Sequence, residues 1–228
     1  MVGRTPALPS WRGVTLVELL VAVALLGLVF TLFVSVLVPG LRIWTRSRQV
    51  ADLEQQALVA EDRIVKSLLS SSASSVSGFR DANLSAVGML SHGGSSGAAG
   101  YDTTNGRTRW TSATLFYLKA DRVLRQASWT GTSPSLSGKA LPSTQTFALS
   151  PTELQNVVNS PNRNGARLAS KVDLFALTSP GETRPDGQVQ PADVEIYLLT
   201  LELSTSTPDG EKRVHREVSV VPRIRERG

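Results

Sequence analysis

One carboxylate, Glu18, stands at the start of a long apolar run. From Gly13 the chain reads Gly-Val-Thr-Leu-Val-Glu-Leu-Leu-Val-Ala-Val-Ala-Leu-Leu-Gly, and residues 19–38 carry no charge. An unpaired charge is expensive to bury in hydrocarbon, so an ionisable residue in such a segment marks a functional site that awaits a partner. The chemistry open to it is ion pairing. A carboxylate held in an apolar segment awaits a partner of opposite charge, and pairing offsets part of the desolvation of both groups.

The element that must carry Glu18 is a helix. About 20 apolar residues suffice to cross a bilayer as a helix, and the run over residues 14–38 meets that length. A secretory signal peptide needs an apolar core of only about 7–15 residues before a small-residue cleavage site. An ordinary signal anchor explains the length of the run but gives no reason for Glu18 or for Gly13 directly before it. Gly27 loosens the helix near its middle, and Pro39-Gly40 predicts a kink or a break at the membrane edge. Helical spacing then resumes, because Leu53, Ala57, Ile64 and Leu68 fall on one face. The economical reading is one long, bent helix, all apolar first and amphipathic afterwards.

The residues from Arg12-Gly13 through Val14-Thr15-Leu16-Val17-Glu18-Leu19-Leu20, with Gly27, resemble the N-terminus of the type IV pilin superfamily, which covers major and minor pilins and the pseudopilins of type II secretion. The resemblance implies that a prepilin peptidase cuts between Gly13 and Val14 and methylates the new N-terminus on Val14. It assigns filament assembly to Glu18, Thr15 and Leu16. One departure is Val14, where the family usually has Phe. The resemblance also implies an N-in, C-out orientation in a bacterial inner membrane. Charge counting does not supply it, since Arg4 and Arg12 precede the run and Arg42, Arg46 and Arg48 follow it.

Composition bounds the rest. The formal net charge is +5, and two of the cations, Arg4 and Arg12, leave with the leader. There are 0 cysteines, so no disulfide staples the fold. The predicted organisation is a leader at 1–13, a transmembrane assembly helix at 14–38, its amphipathic continuation at 39–69 and a β-rich globular domain at 70–228. A serine-rich stretch at 70–77 ends the helix, and residues 92–106 read as a Gly/Ser surface loop. Strands are predicted from there onward, at 114–118, from Val123 to near Trp129, at 171–177, and in a closing hairpin. A short helix is predicted near 152–158. In the hairpin, Pro208-Asp209-Gly210 turns residues 193–204 back onto 213–221. The hydrophobic phase of its first arm slips once. Either a bulge re-aims the strand, or both of its faces are buried.

The predicted fold class is therefore α+β, a long N-terminal helix packed on an antiparallel sheet. The element order, with Leu-Phe-Tyr-Leu-Lys, Val-Leu-Arg and a terminal Val220-Val221-Pro222-Arg223, looks most like J-type minor pseudopilins and W-type minor pilins.

No enzyme and no cofactor is predicted. His92 and His215 lack metal-ligand spacing, no Gly-x-Ser-x-Gly elbow exists, and a P-loop is absent. Asp102, Asn105 and Gly106 do not match a calcium-loop spacing and read as a turn. Arg213, Arg216, Arg223 and Arg225 are candidate DNA contacts, but Glu211, Glu217 and Glu226 partly cancel them, and a solvated strand end is the favoured reading. The function read from the chain is a minor pilin or pseudopilin, assembled with other pilins through the N-terminal helix into, or priming, a type IV pilus or type II secretion pseudopilus. The alternative is a membrane-anchored DNA receptor of a competence pilus.

Overall fold

A computed structural model describes residues 15–91, 107–129, 141, 143–145, 147–159, 165–179, 181–182, 196–207 and 210–222. The chain divides into two units, Met1–Arg48 and Gln49–Gly228. The described part of the first unit is helical from Leu16 onward. The second holds the rest of that helix and all the strands.

Helix α1 runs Leu16–Leu69 with Pro39 inside it. Of the predicted kink or break at Pro39-Gly40, the break is not present, since the helix runs on through both residues. A proline removes one donor, here the partner of the Ser35 carbonyl, and a long helix tolerates the loss of a single bond. Beyond residue 48, Leu53, Ala57, Ala60, Ile64 and Leu68 are buried. These are the four residues of the predicted face with one more alanine. The helix ends where the serines begin. Ser70 Oγ donates to the Ser67 carbonyl at 2.9 Å and Ser71 Oγ to the Leu68 carbonyl at 2.7 Å, so hydroxyls satisfy carbonyls that a helix end leaves open. A short 3₁₀ turn, Ala73–Ser75, follows.

Two antiparallel sheets follow. The first has the order β1 (Ser77–Arg80), β2 (Leu84–Ser91), β3 (Ser112–Lys119), β4 (Val123–Trp129) and β5 (Ala166–Ser170). The second has the order β6 (Val172–Thr178), β7 (Tyr197–Thr207) and β8 (Gly210–Val220). A second helix, α2 (Pro151–Asn159), precedes β5. The fold is α+β, consistent with a pilin-like arrangement.

The first sheet is covered on both faces. Val87, Met89, Phe116, Leu118 and Leu124 share a core with the buried face of α1. Leu84, Ala86, Leu90, Ala113, Leu115 and Tyr117 pack instead with Leu154, Val157 and Val158 of α2 and with Trp110. This double burial explains a missed element. Strands begin at Ser77, before the Gly/Ser stretch, and not after it as the sequence suggested. Strand β2 reads Leu-Ser-Ala-Val-Gly-Met-Leu-Ser and is buried almost throughout. It shows neither alternation nor β-branched enrichment, because each face has its own helix to pack on.

The chain changes sheet at one residue. Ser170 closes β5, Val172 opens β6, and Lys171 between them has φ 59°. A left-handed conformation costs a non-glycine residue about 1 kcal/mol. Its surroundings hold it: Ser204 N donates to the Lys171 carbonyl at 2.9 Å, and Lys171 Nζ donates to Thr205 Oγ1 at 2.8 Å. Helix α1 grips the same junction, since Gln56 Oε1 accepts both the N–H and the hydroxyl of Ser170 at 2.9 Å.

The closing hairpin settles its phase question. The β7–β8 register is continuous from Tyr197↔Val220 to Thr207↔Gly210, so no bulge lies there. Both faces of β7 are buried instead. Leu199, Leu201 and Leu203 join the α1 core, while Leu198 and Thr200 on the other face are also buried. The turn residues Pro208 and Asp209 lie outside the described residues, and Gly210 has φ 114°.

Gly165 carries a sharp structural demand. A Cβ there would lie 2.8 Å from the Gln126 carbonyl oxygen and 2.8 Å from Tyr117 Oη. Gly165 N also donates to that hydroxyl at 3.2 Å. Gly165→Ala is therefore expected to push β5 off β4 and destabilise the β-domain by about 1–3 kcal/mol, read as a lower denaturation midpoint. An unchanged midpoint would mean the strand end yields freely.

Candidate membrane anchor and assembly site

The first turn of α1 is built by two side chains. Thr15 N donates to Glu18 Oε2 at 2.9 Å, Thr15 Oγ1 donates to the same oxygen at 3.1 Å, and Glu18 N donates to Thr15 Oγ1 at 3.3 Å. This is a reciprocal capping box, with Thr15 as N-cap and Glu18 three residues on. It satisfies backbone donors that a helix start leaves open, and it sets the negative carboxylate at the positive end of the helix dipole. The same device starts α2, where Ser150 N and Oγ donate to Glu153 Oε2 at 2.8 and 2.9 Å. The sequence carries the signal as Thr-x-x-Glu before an apolar run, Thr15 to Glu18, a cap that the charge of Glu18 alone does not reveal.

Past Glu18 the helix is apolar on every side. One window of α1 has a mean hydropathy of 2.9 with none of it buried, so this helix is long and apolar enough to cross a membrane. Leu26 is 71% exposed and Val36 75%. At about 25 cal/mol per Å² of apolar surface, so large a bare area is untenable in water and calls for hydrocarbon or other helices. The few polar side chains in the run satisfy themselves. Thr31 Oγ1 donates to the Gly27 carbonyl at 2.8 Å and Ser35 Oγ to the Leu32 carbonyl at 2.7 Å. That is the arrangement hydrocarbon requires. Beyond the run, the Arg48 guanidinium lies 5.6 Å from the centre of the Trp44 ring, a pairing suited to a membrane–water boundary. Leu16 begins the helix and is 79% exposed.

No protein-family model, curated protein or solved structure matches the chain. The site is therefore read from its own residues.

Gly13, Val14, Arg223 and Arg225 lie outside the described residues, as do His92, Asp102, Asn105 and Gly106. The remaining candidate DNA contacts are occupied by carboxylates. Arg216 faces α1, and its Nε donates to Glu61 Oε2 at 2.7 Å. That hydrogen bond raises the Arg216 pKa above its usual value. Arg213 bonds Glu211 Oε2 at 2.9 Å and Glu202 Oε1 at 3.3 Å. Its guanidinium in turn lowers the Glu211 pKa. Arg216 thus ties the last strand to the helix, on the face that Val214, Val218 and Val220 share.

Proposed function

We propose that this chain is a minor pilin or pseudopilin, an interaction protein and not an enzyme. It is anchored in an inner membrane through α1 and assembled with related subunits into, or as a primer of, a type IV pilus or type II secretion pseudopilus. The observation that carries the reading is the division of labour along α1. Its first part is apolar all round with one carboxylate in the first turn, and its second part is buried on one face only, against a β-domain.

The mechanism follows from the capping box. Oε2 of Glu18 accepts both bonds from Thr15, which leaves Oε1 for a partner. Cleavage after Gly13 would free a positive amine on Val14. Within a bundle of apolar helices, the amine of one subunit would meet Glu18 of the next, a pairing that offsets desolvation on both sides. The apolar surface around it keeps water away and strengthens the attraction. The matched guanidinium groups of Arg213 and Arg216 give no support to the DNA-receptor alternative.

The test is the intact mass of the protein taken from membranes. A chain beginning at N-methylated Val14 is expected, and Gly13→Glu should leave the precursor uncut, because a bulky charge would then occupy a tight peptidase subsite. Retention of Met1 in membrane-assembled wild-type protein would sink the reading.

A further inference from the structure

The turn between β1 and β2 carries an asparagine that neither the core nor the assembly site uses. Residues 81–85 read Asp-Ala-Asn-Leu-Ser, and Asn83-Leu84-Ser85 is the chain's only Asn-x-Ser/Thr tract. That order is the acceptor pattern for glycan transfer onto asparagine, which belongs on a surface turn of a domain outside the cytoplasm. The structure supplies the turn. Asp81 N donates to the Leu84 carbonyl at 2.8 Å, and Asp81 Oδ1 accepts the N–H groups of Asn83 and Leu84 at 2.7 and 2.8 Å. This side-chain cap leaves Ala82 and Asn83 exposed at the tip.

Ser85, the third member of the tract, behaves differently. It is 8% exposed, and its Oγ donates to the Phe175 carbonyl of β6 at 2.5 Å, 90 residues further along the chain. In the folded domain this hydroxyl is closed to a transferase, while the Asn83 side chain stays open to solvent. Before residue 175 has been made and docked, the whole tract is accessible. Synthesis of the intervening residues alone takes on the order of 10 s. We propose that Asn83 is the attachment site of an N-linked glycan, transferred before β6 closes on β2 and then carried on the surface of the folded domain. In the transfer, Asn83 Nδ2 bonds to the anomeric carbon of an oligosaccharide carried on a lipid diphosphate. The bond from that carbon to the diphosphate oxygen breaks, the lipid diphosphate leaves with the electron pair, and one amide proton goes to a base of the transferase. The fold offers the first sugars a seat. Asn83 borders a cavity of about 410 Å³ between the β1–β2 turn, the β3–β4 turn and the start of β6, lined also by Arg80, Asp81, Lys119, Arg122 and Asp173. Sugar hydroxyls suit such a lining, since each is both donor and acceptor. The inference rests on the filament reading for one condition, a β-domain outside the cytoplasm, because transfer of this kind takes place on the outer side of the membrane.

The test is mass analysis of the full-length protein purified from its native membranes. Wild type is expected to exceed its chain mass by one oligosaccharide, and peptide mapping should place the whole increment on Asn83. Asn83→Gln keeps the Asp81 cap and should remove the increment. Ser85→Ala should remove it as well, although Asn83 remains. A folding defect does not imitate that loss, because a chain slow to fold keeps its tract open for longer. Wild type at bare chain mass, an increment on another residue, or full modification of Ser85→Ala would each overturn the proposal. The same spectra report the N-terminus. A chain that begins at N-methylated Val14 without the increment sinks the glycan inference alone, and one that keeps Met1 yet carries the increment sinks the filament reading alone.

Discussion

Glu18→Gln is expected to leave the protein in the membrane and remove most of it from sheared filaments. The substitution separates the capping role of this carboxylate from the assembly role proposed for it. Glutamine at this position can still reach back to Thr15 N, so the capping box and the first helical turn survive. Only the charge goes, and with it the partner for a neighbour's amine, which would then be buried alone at a cost of several kcal/mol or be kept out of the bundle. Glu18→Ala loses both roles. Its segment becomes more apolar, so insertion should hold or improve, while the cap is lost at about 1 kcal/mol. Thr15→Ala is the complementary variant, with the cap weakened and the charge kept, and it should assemble far better than either Glu18 variant. The measurement is the ratio of this protein in sheared filaments to that in membranes. Equal ratios for wild type, Glu18→Ala and Glu18→Gln would show that the charge plays no part in assembly. A failure of Thr15→Ala as complete as that of Glu18→Gln would assign the effect to helix initiation.

A fragment beginning at Gln49 is expected to be soluble and to unfold cooperatively, and Ile64→Ala within it should cost about 2–5 kcal/mol. Ile64 is fully buried at the centre of the α1 face, in one cluster with Phe116, Phe175 and Leu201 from both sheets. Neighbouring Ala57 and Ala60 are small and let the helix approach closely, so little side-chain volume is at hand to fill the gap. Arg63→Ala, next in sequence and exposed, should stay within about 0.5 kcal/mol of wild type. Chemical denaturation of the three fragments decides it. If Ile64→Ala matches Arg63→Ala, α1 does not share a core with the sheets. If the fragment only aggregates, the β-domain does not fold without the apolar helix.

Several elements were legible because each announces itself locally. Leu53, Ala57, Ile64 and Leu68 repeat at helical spacing, and the structure buries all four. Strands β3 and β4, with Ala120-Asp121 between them, follow from aromatic and aliphatic residues around a polar turn. Helix α2 emerged within one or two residues of its predicted ends. The elements that escaped are those whose environment is non-local. Strand β2 carries serine, alanine and glycine because α1 crowds one face and α2 the other. Gly88 is an example, since a Cβ there would come within 2.8 Å of Leu154 Cδ2. Strand β5 is five residues long, and its end is fixed by Gln56, distant in sequence.

By itself the sequence determined the long apolar helix, the lone Glu18 at its head, the amphipathic face of the helix and the closing hairpin. Each depends on the type and spacing of residues close in the chain, where burial periodicity and turn chemistry act directly. Only the tertiary structure decided that the strands divide into two sheets and that the chain passes between them at Lys171. It also decided that both faces of β7 are buried and that Arg216 belongs to Glu61. Those outcomes turn on contacts between residues far apart in the chain, and no local pattern encodes which distant carboxylate will neutralise a given arginine or which helix will cover the second face of a strand.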